Sequence, residues 1–264
     1  MLEFKLVQGN LLKKVVSPLV HIATRATVIA TPESISLQTS SPNLMVIAVA
    51  RINSYRFDRF YTGQSCSVGI ELNALDAILS TTDDDESITV RSLFLENLVS
   101  FTFRIGIHQT RTEEAYVVQI PNNHVNIDES EYNYDVAVGI PSEEFRHILL
   151  YFRSFRGGAV FVSVTDSQVR FRSVGREIIL IKENGDCIIG GVEESDGECR
   201  LRLNLYTMNS IFEASQHCPT AWLFGSQDAP DMLNCPVEQL VDDQYEGELK
   251  NVLLCVVPMF ETYA

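Results

Sequence analysis

An α+β chain of two similar sheet-rich halves, each carrying two helices on one face of its strands, is what the sequence predicts. Much of the chain alternates apolar and polar residues with period two, as half-buried strands do. Four stretches break that rhythm with apolar residues at helical spacing. The four helices are related by one offset, 133 residues.

The strand signals come first. "ISLQT" (35–39), "SITVRS" (87–92), "VSFTFRI" (99–105), "AVFVSV" (159–164), "QVRFRS" (168–173) and "EIILIKE" (177–183) all alternate and are rich in β-branched or aromatic residues. "ENGD" (183–186) carries the Asn-Gly pair of a two-residue hairpin turn. The helical stripes are Leu12, Val15, Val16 and Leu19; Leu72, Leu75, Ile78 and Leu79; Phe145, Ile148, Leu149 and Phe152; and Leu205, Met208, Ile211 and Phe212. Asn10 and Asn73 are expected as N-caps of the first two, and Pro141-Ser142-Glu143-Glu144 opens the third. Pro18 falls inside the first, where it removes a hydrogen bond.

Adding 133 takes Leu12 to Phe145, Val15 to Ile148, Leu72 to Leu205, Leu75 to Met208, Ile78 to Ile211 and Leu79 to Phe212. The strands are expected to keep the step, Val28 with Phe161 and Val90 with Leu223. A constant offset across both halves reads as an internal duplication. The expected organisation is a domain over 1–119, a polar linker over 120–133 ("IPNNHVNIDESEYN") and a second domain over 134–264.

Composition bounds the function. Thirty-five acidic against 20 basic residues give a net charge of −15, which argues against a nucleic-acid binder that works by bulk attraction. It leaves room for a protein whose few bases gather on one face. The six cysteines have neither C-x-x-C nor regular spacing and the histidines are scattered, so no zinc site, other metal site or cofactor is expected. Reduced, mostly buried thiols in an intracellular protein are the expectation. No 18-residue apolar run marks a membrane span. Walker loops, nucleophile elbows and H-E-x-x-H are absent, and no catalysis is expected. "TDDDES" (82–87) clusters carboxylates without the glycine and distal Glu of a calcium loop, and Asp58 with Arg59 in "YRFDR" reads as a structural charge pair.

The architecture, together with "LVQGNLLKK" (6–14), "ISLQ" (35–38), "YRFDR" (55–59), "GIELNALDAILS" (69–80), "DESEY" (128–132) and "PSEEF" (141–145), resembles the proliferating cell nuclear antigen family, the eukaryotic-type DNA sliding clamp. The likeness is weakest from about 183 to 235. It implies the DNA-clamp, or processivity, fold: a homotrimeric ring of six similar domains whose helices line a pore for duplex DNA. It also implies a clamp loader, tethered DNA polymerase and other replication or repair proteins, and a place in the nucleus, or at a site of viral replication.

By that resemblance, Lys13, Lys14, Arg146, His147 and Arg153 would line the pore. On the second and fourth helices the family's basic places hold Ala77, Ser80, Tyr206 and Glu213, with Asp76 beside them. Val20 and Leu150 replace two further bases, so the lining is thinned. A groove for a short hydrophobic-anchor peptide would comprise Met45, Ile47, Val125, Ile127, Pro230, Val257 and Pro258. Subunits would meet edge to edge through the strands holding Tyr116 and Val118 and, in the neighbour, Ile178 and Leu180. Both strands are apolar enough to be poor exposed edges, though strands inside a sheet would read the same way. The alternative to a processivity factor is a clamp-fold subunit of a heteromeric, checkpoint-type ring, or a protein-interaction scaffold with weakened DNA binding.

Overall fold

Period-two alternation and the helical stripes resolve into elements that occur in the same order twice. The computed structural model describes residues 2–44, 46–83, 86–93, 98–105, 109–119, 133–153, 158–192, 198–226, 229–237 and 253–258. The first half runs β1 (Leu2–Leu6), α1 (Asn10–Val20), β2 (Arg25–Ala30), β3 (Ser34–Ser41), β4 (Val46–Asn53), β5 (Arg59–Thr62), β6 (Cys66–Glu71), α2 (Leu72–Ser80), β7 (Ser87–Leu93), β8 (Leu98–Ile105) and β9 (Gln109–Val118). The second runs β10 (Val136–Pro141), α3 (Ser142–Arg153), β11 (Ala159–Val164), β12 (Gln168–Ser173), β13 (Arg176–Ile181), β14 (Ile188–Gly190), β15 (Cys199–Asn204), α4 (Met208–Ser215), β16 (Thr220–Gly225), β17 (Met232–Asn234) and β18 (Leu253–Pro258). The chain divides into two compact units that follow these halves, except that Ser41–Ile47 clusters with the second and Leu253 with the first.

Strand order repeats as well. In the first half it is β4-β3-β2-β6 and β9-β8-β7-β1-β5; in the second, β13-β12-β11-β15 and β18-β17-β16-β10-β14. Replacing each strand by its counterpart converts one order into the other. Individual hydrogen bonds repeat too. The Gly9 amide donates to the Glu86 carbonyl at 2.7 Å and that of Ser142 to Pro219 at 2.9 Å. The Thr39 hydroxyl donates to the Arg25 carbonyl at 2.7 Å, and that of Ser173 to Ala159 at 2.8 Å. The apolar stripes face inward: Leu12, Val15, Val16, Leu19, Phe145, Ile148, Leu149 and Phe152 are all buried. α1 packs on α2 and α3 on α4.

Three local expectations need correction. The offset is 133 at the helices but 134 at the β2–β3 hairpin, because Thr27 pairs with Gln38 where Phe161 pairs with Arg172. Val28 therefore corresponds to Val162, not Phe161; one residue is added between α3 and β11. Val90 and Leu223 do correspond, each opposite the middle of its half's first strand. Asn10 and Asn73 are not caps: Gly9 and Glu71 precede the helices. Backbone carbonyls do the work instead, with the Leu72 amide donating to Thr24 at 2.9 Å. "ENGD" makes no hairpin, because β13 pairs with β12 and β14 with β10. The chain changes sheets there through a 3₁₀ turn, Lys182–Asn184, closed by Gly185 at φ 78°.

Asp58 is paired mainly with Lys5 rather than Arg59. The Lys5 ammonium donates to its carboxylate at 2.6 Å and holds that carboxyl below its usual range. Phe57, next to Asp58, stacks on Phe60 and meets Phe4 at a tilt of 58°. In "TDDDES", Glu86 is buried and lies 3.9 Å from Arg111, whose guanidinium sits 4.2 Å over the Phe103 ring. That is a structural acid in its own half's core. α1 continues past Pro18 to Val20, leaving the Lys14 carbonyl without its usual partner amide.

Gly9 has no room for a side chain, since a Cβ there would lie 2.5 Å from Ile88 Cγ1. Gly9→Ala should therefore cost about 1–3 kcal/mol, read as a lower urea midpoint. Ser142→Ala, at the equivalent place that already holds a Cβ, should cost less than about 1.5 kcal/mol.

Candidate functional site

The exposed sides of α1 and α3 follow from their buried stripes. Lys13 and Lys14 are half-buried on α1; Arg146 is half-buried and His147 and Arg153 are exposed on α3. The five expected bases thus do lie off the core faces of two equivalent helices. They are not equally free. The Lys13 ammonium donates to the carbonyl of Ser80, the last residue of α2, at 3.2 Å. The Arg146 guanidinium donates to the carbonyl of Ser215, the last residue of α4. Each half therefore uses one base to cap the carboxyl end of its neighbouring helix, where unpaired carbonyls and the helix dipole favour positive charge.

His147 Nδ1 lies 3.8 Å from the Glu144 carboxylate one turn earlier. Asp76 on α2 accepts a hydrogen bond from the Ser17 hydroxyl at 2.9 Å, and Glu213 on α4 lies 3.9 Å from His217. Lys13, Lys14, Arg146 and Arg153 are the formal cations on the four helices; Asp76, Glu143, Glu144 and Glu213 are the anions. Four against four leaves the helical surface with no net positive charge from its own residues.

Of the expected peptide groove, Ile47 and Pro230 are buried. Met45, Val125 and Ile127 lie outside the described residues. Val257 and Pro258 fall in β18, which pairs with β17. The turn before Ile47 is held by the Asn204 amide, which donates to the Leu44 carbonyl at 2.6 Å. β4, which holds Ile47, and β18, which holds Val257 and Pro258, are neighbours in one sheet.

The expected edges are open. β9 pairs along its length with β8, but with β6 only through Val117 and Val118, so the described Gln109–Tyr116 has one side without a strand partner. Among the described residues β13 pairs with β12 alone. Tyr116 is 74% exposed, and Val118 and Ile178 are half-buried. Leu180 is buried in its own half opposite Val169, so it could serve such an edge only through its backbone. The exposed apolar side chains of β13 are Ile179 and Ile181. In an all-apolar run, "IILI", alternation could not say which pair faces out. Among the described residues no three His, Cys, Asp or Glu side chains converge as metal ligands, and no helix is long and apolar enough to cross a membrane.

Residues 1–129 match the family model described as proliferating cell nuclear antigen, N-terminal domain. Proliferating cell nuclear antigen 2 of Drosophila melanogaster is 23% identical over 176 residues, which cover 66% of this chain and 68% of that protein.

The capping bases have a measurable signature. Lys13→Met and Arg146→Met should each cost about 0.3–1 kcal/mol of stability, the range of a base at a helix carboxyl end, and the loss should shrink in high salt. Lys14→Met should stay within about 0.5 kcal/mol of the unmodified chain. Urea titration at two salt concentrations checks both.

Proposed function

We propose that this chain, which belongs to the proliferating cell nuclear antigen family as a divergent member, is a homotrimeric DNA polymerase processivity factor that encircles duplex DNA. The family gives it a sliding-clamp-type function and makes it a clamp or scaffold protein, not an enzyme. The finer reading is that two clamp domains, 1–119 and 134–264, joined by the linker 120–133, contribute two of six similar arcs to a ring.

The observation that carries this reading is the combination of a repeated two-helix unit with two open strand edges. Unpaired edges are a liability that closure into a ring removes. β9 of one subunit would pair with β13 of the next, leaving the side chains on the sheet faces free. The helices would face the pore, where Lys14 and Arg153, helped by Lys13, Arg146 and His147, meet phosphates. Each phosphate contact adds about 0.9 to the slope of log affinity against log salt, and few such contacts are on offer here. Closure of the ring, not attraction, would keep DNA in place. A clamp loader would be needed to open it. Polymerase and repair partners would bind through hydrophobic-anchor peptides at the groove around Ile47, in the nucleus or wherever the chain's DNA is copied.

The balance of charge on the helices favours a second reading, a clamp-fold subunit of a heteromeric, checkpoint-type ring or a scaffold with little hold on DNA. Two measurements separate them. Light scattering of the purified chain should give three copies of 29.6 kDa, about 89 kDa, as a closed cyclic assembly. After loading, the protein should be retained on closed circular DNA and lost from linear DNA. A persistent monomer favours the second reading, and equal retention on both DNAs overturns topological holding.

A further inference from the structure

The sheet β13-β12-β11-β15 turns one face inward, where Val160, Val162, Val169, Phe171, Leu201 and Leu203 are buried. Its other face carries an arrangement that clamping does not use. Phe161, in the middle of β11, is 61% exposed and stands directly between Arg172 on β12 and Arg202 on β15. On the next rung, Ser163 stands between Arg170 and Arg200. Residues directly opposite in an antiparallel pair share a face with Cβ atoms about 5 Å apart, and successive rungs on one face are about 6.8 Å apart. Two rows of guanidinium groups therefore flank one bare aromatic ring.

Two carboxylates offset this charge in part. Glu177 accepts from Arg172 Nε at 2.6 Å and lies 3.4 Å from Arg170 Nε. Glu198 accepts from Arg200 at 3.3 Å, and a hydrogen bond from Ser163, then Arg200 and Arg170, hold its carboxyl below the usual range. Four arginines against these two acids and Asp231, whose carboxylate accepts from the Arg202 amide at 2.8 Å, leave the face positive, within a chain of net charge −15. A cavity of about 350 Å³ adjoins Phe161, lined also by Arg172, Val174, Arg176 and Glu177. It sits at the β12–β13 turn, where Val174 takes φ 43°, a conformation β-branched residues rarely adopt.

The first half shows that the fold requires none of this. The equivalent positions hold Thr27, Ile29, Ser36, Gln38, Ser67 and Gly69, without a single base. Thr27, Ser36 and Gln38 are buried. Gly69 is crowded by the Val118 carbonyl of β9, so no side chain fits where Arg202 stands in the second half.

We propose that this face of the second half is a binding surface for single-stranded nucleic acid, independent of base sequence, with a base stacked on Phe161 and phosphates held by Arg170, Arg172, Arg200 and Arg202. An exposed ring among arginines suits any base, because every base has a π-face. A duplex keeps its bases stacked inside, and this sheet offers no element to enter a groove, so Phe161 would go unused. An acidic peptide would use the guanidinium groups but gives the central ring no role. The surface is separate from the helix faces and does not depend on ring closure.

Fluorescence anisotropy of a labelled 20-nucleotide oligo(dT) with the full-length chain tests this. The oligonucleotide should bind at low salt, and Phe161→Ala should weaken it about tenfold. Arg170→Ser with Arg172→Gln installs the residues of the first half and should reduce the salt slope by about 1.4. Arg91→Gln, an exposed base elsewhere, should change neither. All the substituted side chains are solvent-accessible, and matching thermal melts would establish that the variants fold. Absence of oligo(dT) binding at low salt overturns the proposal. So does a loss seen with Lys14→Glu but not with Phe161→Ala, which would move binding to the helices. A poly-glutamate peptide that displaces the oligonucleotide and is itself weakened by Phe161→Ala would reassign the face to an acidic protein partner and overturn it as well.

Discussion

One backbone hydrogen bond sets the geometry of each half: the Gly9 amide on the Glu86 carbonyl, and its repeat from Ser142 to Pro219. It fixes where the first helix leaves its strand and points that helix across the second. Helices of eight to twelve residues are too short to persist in water alone, so their stability comes from the faces they bury. Packing α1 on α2 and α3 on α4 brings a base on each first helix to the carboxyl end of each second. Lys13 and Arg146 answer that local demand before any ligand arrives. The basic surface is thus thinned twice. α2 and α4 bring no bases of their own, and two of the remaining cations are drawn to helix ends. In the proposed ring, DNA would be held by closure with little electrostatic help.

The helices, most strands and the duplication were legible because each rests on apolar periodicity, which burial enforces over whole elements. What escaped were details set by tertiary partners. The 134-residue step at the β2–β3 and β11–β12 hairpins depends on one added residue in a connection, which leaves no periodic trace. Asn10 and Asn73 look like caps to local rules, but a carbonyl from another segment, Thr24 for α2, already takes the amide. Lys13 and Lys14 are alike in the sequence; only the position of Ser80 separates a capping base from an open one. The arginine face was written in "QVRFRS" and in "CRLRLN" (199–204), where bases alternate with apolar residues. What one strand could not reveal is that β11 lies between them and brings Phe161 into register.

The two halves show how a duplicated fold acquires different surfaces. The ladder and the core are common to both, so changes there would be felt twice over in stability. The outward positions are constrained only by what approaches them. In the first half β9 reaches β6 at Gly69 and closes that position. Among the described residues no strand pairs with β15 at that place; the Asp231 carboxylate accepts from the Arg202 amide at 2.8 Å instead, and the outward positions carry long charged side chains.

Net charge is a poor guide to either surface. At physiological ionic strength the Debye length is about 8 Å, so exposed charges act on a ligand mainly over one or two neighbouring residues. On the helices the bases are interleaved with carboxylates at that distance, as His147 is with Glu144, and their fields largely cancel. On the β11 face Glu177 and Glu198 lie within 3.4 Å of arginines and offset them in part, but the arginines, one rung apart and closer than the screening length, outnumber them. A chain of charge −15 can therefore be nearly neutral where it would surround a polyanion and positive on a sheet facing away from its core. Spacing at the scale of one strand, not the sum over 264 residues, decides which surface attracts phosphate.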